Sequence, residues 1–145
     1  RRTTDWAHLS EALLLDSFVE HRAGHADAAR RSLDALFALP SAPAELTHCG
    51  RILAGEIELL RSRYDDGLQQ LRWVIVELDS ALYPLALYRT AGAYLEVGRS
   101  ADARQALIDV IDAVRRRPAV GREPLRVAAE RELAALPAAP DGGVR

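Results

Sequence analysis

Lysine and methionine are absent from this chain, cysteine occurs once, and aromatic residues make up only 6% of its 145 positions. A single thiol, Cys49, excludes an intramolecular disulfide and points to a reducing, cytoplasmic setting. No apolar run reaches the roughly 18 residues that a membrane span needs, and no signal peptide is visible. A basic excess is missing as well. The formal net charge is −2, which argues against direct nucleic-acid binding, because a protein that neutralises many phosphates carries more Arg and Lys than Asp and Glu. All 19 basic residues are Arg, and they are spread along the chain instead of converging on one anion site, so they read as coding bias. The sequence begins with Arg1 and not with Met, as a piece of something longer would.

Apolar content of 49% with 28% charged residues suits one globular domain, and abundant Ala and Leu favour helix over strand. An all-α fold is expected. Three blocks repeat one grammar: Gly24-His25-Ala26-Asp27-Ala28-Ala29, Ser62-Arg63-Tyr64-Asp65-Asp66-Gly67 and Gly98-Arg99-Ser100-Ala101-Asp102-Ala103, offset by 38 and 36 residues. Each closes on a small residue, and Leu33, Leu71 or Leu107 follows four later. A period between about 20 and 50 residues marks stacked repeats, in which no unit buries its apolar face alone.

Helical periodicity predicts seven helices. The first runs from Trp6 to Arg22, capped by Thr3, Thr4 or Asp5 and stopped by Gly24. The second covers Ala26 to Ala38, with Pro40 and Pro43 in the link that follows. Ala44 to Arg61 and Tyr64 to Leu78 form the next pair, the latter with Tyr64, Gly67, Leu68, Leu71, Val74, Ile75 and Leu78 inward. Pro84 to Val97 and Ala101 to Arg116 form the third. Glu123 to Leu136 reads as a final helix, and residues 137–145 as a disordered tail. The expected domain is residues 1–136, with hairpins at 6–38, 44–78 and 84–116 and a closing helix at 123–136.

These hairpins resemble the tetratricopeptide repeat. Leu87, Ala91, Tyr94, Gly98, Ala103, Leu107 and Val110 of the third unit carry the best match; Gly67, Leu71 and Val74, and Ala29, Leu33, Leu36 and Pro40, carry the second helices of the other two. Aligning the first helices through Ala12, Leu15 and Val19, or through Gly50, Leu53, Ala54 and Ile57, requires one extra residue in the turn. The resemblance implies an α-α superhelix, or solenoid, of three hairpins plus a C-terminal capping helix. It also implies that a peptide or partner helix binds along the first helix of each hairpin. The family's groove positions fall on Leu14, Phe18 and His21; on Arg51, Ile52, Glu56 and Leu59; and on Leu85, Tyr88, Leu95 and Glu96. The rival assignment has Phe18 and Tyr88 buried, or the groove filled by the seventh helix.

Candidate chemistry is sparse. His21 and His25 have metal-pair spacing, but Gly24 between them breaks the common helix face. His48 and Cys49 are adjacent and point apart on a helix, so a buried thiol with a flanking histidine is expected. Asp65 and Asp66 are explained by the macrodipole and capping at a helix start, and the pair Glu56 and Glu58 needs no acid–base role either. Arg115, Arg116 and Arg117 meet the carbonyl end of a helix dipole, and a phosphate patch with Arg122 and Arg126 is the weaker reading. With no Gly-rich phosphate loop, no G-x-S-x-G and no CxxC, neither an enzyme nor a cofactor is expected.

The expected function is protein or peptide recognition. Leu13, Leu14, Leu15, Phe18 and Val19 make the first helix apolar around much of its girth, which invites self-association through it. The alternative is a regulatory or oligomerisation domain of a larger bacterial signalling or transcription-regulator protein.

Overall fold

A computed structural model describes residues 5–137. Among them are seven helices and no strand: α1 (Trp6–Arg22), α2 (Ala26–Phe37), α3 (Ala44–Leu60), α4 (Tyr64–Ile75), α5 (Tyr83–Glu96), α6 (Ser100–Arg116) and α7 (Glu123–Ala135). The chain divides after Tyr83 into two compact units. Thr3 and Thr4, and the expected tail beyond Pro137, lie outside the described residues; Asp5 caps α1, its carboxylate accepting the His8 N–H at 3.1 Å.

One expectation fails at α4, which stops at Ile75 instead of Leu78. The chain tightens there. Glu77 N–H bonds to the Val74 carbonyl at 2.9 Å and Ser80 N–H to that of Glu77 at 2.9 Å, so Leu78 swings outward and is 68% exposed. Ser80 then fixes the link: its hydroxyl pairs with His48 Nδ1 at 2.8 Å and accepts the Leu82 N–H at 3.2 Å.

The three repeated blocks are three copies of one turn. Gly24, Ser62 and Gly98 have φ of 82°, 59° and 77°, the left-handed conformation that ends a helix most cheaply when the residue lacks Cβ. The next residue in each, His25, Arg63 or Arg99, donates its N–H to a carbonyl five residues back, on Glu20, Glu58 or Tyr94, at 2.9, 2.9 and 2.8 Å. These are Schellman closures. The side chains repeat the clasp: His25 Nδ1 meets Glu20 at 2.7 Å, Arg63 meets Glu58 at 3.6 Å, and the Arg99 guanidinium stacks 4.6 Å above the Tyr94 ring.

In the first unit the core is Leu14, Ala29, Leu33, Leu36, Leu53, Ala54 and Ile57. Close helix approach is bought by missing side chains. A Cβ on Gly50 would lie 2.9 Å from Leu36 Cδ2, and Cβ atoms on Gly55 and Gly67 would each lie 3.2 Å from the other glycine's carbonyl oxygen. Ser10 and Ser17 are fully buried, yet their hydroxyls donate to the Trp6 and Leu14 carbonyls at 2.5 and 2.6 Å, so neither burial leaves an unpaired group.

In the second unit, α6 buries Ala103, Ala106, Leu107, Val110, Ile111, Ala113 and Val114. The seventh helix packs on it. Ala129 is fully buried, Arg115 reaches Glu130 at 3.6 Å, and Tyr88 of α5 donates its hydroxyl to Glu132 at 2.6 Å.

Candidate functional site

Turn geometry fixes the register of the first helices. Because all three turns share one conformation, no extra residue is inserted in any of them. That corrects the sequence alignment by one position. Seven residues ahead of Gly24, Ser62 and Gly98 stand Ser17, Gly55 and Ala91, all small and all buried. Five residues after them stand Ala29, Gly67 and Ala103, which are equally buried. In the second hairpin the helices cross small on small at Gly55 and Gly67, and the repeat sets buried small residues at the same places in the other two.

Arg51 consequently belongs to the face of α3 that meets the second helices, and not to a partner-facing groove. Its guanidinium lies 3.7 Å from the Phe37 ring centroid and 4.5 Å from that of Trp73, and it donates to Gln70 at 3.0 Å. This is a cation held between two rings. Burial and the neighbouring Arg30 hold its pKa below the ordinary arginine value, though a guanidinium stays charged throughout the working range.

The other expected groove residues keep equivalent places in the repeat, but not equal access. Leu14 and Ile52 are buried, Leu14 within the core, so both give support from beneath. Tyr88, at the same repeat position, is half-buried and tied to α7 through Glu132. The carboxylate beside it and partial desolvation raise the Tyr88 pKa. Leu59 is half-buried and leans toward Gly67 of α4. His21, Glu56, Leu85 and Leu95 are half-buried, while Phe18 and Glu96 are exposed.

Corrected register adds residues that the first alignment missed. Leu85 corresponds to Cys49 and Glu11, and Glu96 corresponds to Leu60 and Arg22. Cys49 is only half-buried, unlike the buried thiol expected, and it lies two turns from Glu56 on one face of α3. Desolvation, with a smaller push from Glu56, raises its pKa, which makes it a poor nucleophile. The three aligned blocks, which already set Ser62 beside Gly24 and Gly98, reveal this register when equal distances are counted back from each of them.

Other candidates resolve into structural roles. His25 is engaged by Glu20, and His48 by Ser80; among the described residues no group of three or more His, Cys, Asp or Glu could hold a metal. Arg126 is paired with Glu123 and Glu130, and Arg122 donates to the Arg117 carbonyl, so both are engaged by groups of the chain itself. No described helix is long and apolar enough to cross a membrane.

The fold is an all-α, tetratricopeptide-like helical repeat. Among solved structures, PcrH in complex with the chaperone binding region of PopB matches with a TM-score of 0.72 over 90% of this chain and 98% of its own, at 20% identity. No protein-family model matches the sequence, and no curated protein matches it.

Proposed function

We propose that the chain is a protein-interaction module that takes a peptide or partner helix on the first helices of its hairpins. The observation that carries this reading is the fold shared with PcrH, whose solved complex holds a segment of another protein, PopB. Half-buried residues with both apolar and charged character, such as Leu59, Leu95, Glu56 and His21, are suited to it: the apolar parts supply contact area and the charges fix orientation. Arg51 is left out of this set because its charge is already stacked and hydrogen-bonded. A half-buried lone thiol at Cys49 agrees with a cytoplasmic setting.

A peptide selected from a displayed random library and measured by fluorescence polarisation provides the test. Glu56→Arg and Leu95→Glu should each weaken such a peptide about tenfold or more, while Val76→Glu, at an exposed site beyond the end of α4, should not. Equal binding by all three variants would remove the first helices as the docking surface. The exposed apolar side of α1 favours a second reading, an oligomerisation or regulatory part of a larger protein.

A further inference from the structure

Leu15 is 66% and Val19 57% exposed on α1. Repeat register shows what this face is. Ala12, Leu15 and Val19 occupy the places that Gly50, Leu53 and Ile57 hold on α3, and on α3 those residues pack against the preceding hairpin, Gly50 upon Leu36 and Leu33, and Leu53 and Ile57 within the core. The outer side of α1 is therefore a stacking face that none of the described helices covers.

We propose that a second copy of this chain covers this face, through α1 packed antiparallel on α1. Two observations favour the same surface of a second copy over a head-to-tail contact. At the other terminus α7 already lies on α6, so that flank is not an open stacking face. Beside the stacking face of α1, sharing Leu15 and flanked by Val19, runs a self-complementary strip: Glu11, Leu15, Phe18 and Arg22 recur at alternating four- and three-residue steps and are all exposed, the spacing of a helix-pairing seam.

A two-fold axis level with Asp16 and Ser17 sets Leu15 against Phe18 of the second copy, and Glu11 against Arg22, twice over. Such isologous pairing is the commonest closed symmetry. Antiparallel alignment also opposes the helix dipoles favourably. The central leucine and phenylalanine pairs supply the apolar burial, and the Glu11 and Arg22 pairs at the rim set direction and register more than strength. Glu11, Phe18 and Arg22 also hold groove positions on α1, so this dimer and a peptide on α1 exclude one another; the dimer is measured without any peptide, so its failure and that of the peptide-binding reading are told apart.

Sedimentation velocity over a wide concentration series tests it. A reversible monomer–dimer equilibrium is expected. Leu15→Glu should abolish the dimer, with Val19→Arg as a second exposed disruption and helical circular dichroism confirming that both variants fold. Glu11→Arg and Arg22→Glu should each raise the dimer dissociation constant about tenfold, because each creates two like-charge contacts, and the double exchange should restore it. A chain that stays monomeric throughout, that assembles beyond a dimer, or that dimerises regardless of Leu15 would overturn the proposal. Failure of the double exchange to restore would overturn the antiparallel register.

Discussion

The three left-handed turns allow a stability test with internal controls. Gly98 has φ of 77°, and a Cβ placed on it would meet nothing within 4 Å; Gly24, with φ of 82°, is equally open. Substitution by Ala at either site therefore changes backbone energy and almost nothing else. Holding a residue with Cβ in this conformation costs about 1–2 kcal/mol, and the reduced freedom of the unfolded chain returns about 0.4–1 kcal/mol. A net loss of about 1 kcal/mol is expected for Gly24→Ala and for Gly98→Ala. Ser62 already bears that strain at φ of 59°, so Ser62→Gly should gain up to about 1 kcal/mol. Urea unfolding followed by circular dichroism measures all three, and a shifted midpoint with an unchanged m-value would show that stability alone changed. If Gly98→Ala is neutral, or if Ser62→Gly destabilises, the shared turn conformation is wrong, and with it the corrected register of the first helices.

Ala29→Arg and Ala103→Arg should unfold the chain or cost more than about 3 kcal/mol, because both alanines are fully buried at helix crossings; a native circular dichroism spectrum and melting curve would count against that packing. Arg51→Ala should cost about 1–2 kcal/mol through lost ring stacking and the Gln70 bond and should alter Trp73 fluorescence, whereas an unperturbed emission would place Arg51 elsewhere. Asp5 raises the His8 pKa above its ordinary value of 6.5 while its own falls below 3.8. The His8 contribution to the first turn is thus full below pH 6.5 and fades as pH rises through the elevated value, and that of Asp5 is lost as pH falls through its lowered one. An NMR titration of His8 that is unaffected by Asp5→Asn would contradict this. Cys49 should alkylate slowly at neutral pH, and Glu56→Gln should speed the reaction by lowering the thiol pKa; equal rates would separate the two side chains.

Local rules account for what the sequence alone determined. Helix existence follows from the 3.6-residue apolar period, caps and glycines, which is why α1 and α7 begin where the pattern says and why Ala29, Gly67 and Ala103 are all interior. The repeated block even locates the turns, since a glycine after a helix is where a left-handed residue closes it at least cost. Tertiary structure decided the rest. The Ser62 turn takes the same left-handed conformation as those of Gly24 and Gly98, and it is this equality of the three turns that removes the extra residue by which the first helices of the first two hairpins slip. A slip of one is about 100° around a helix, enough to carry Arg51 from a supposed groove to a slot between Phe37 and Trp73. Leu14 and Leu15 make the same point: neighbours of one residue type, one sealed in the core and one open to water, separated by which side of α1 had a helix to meet.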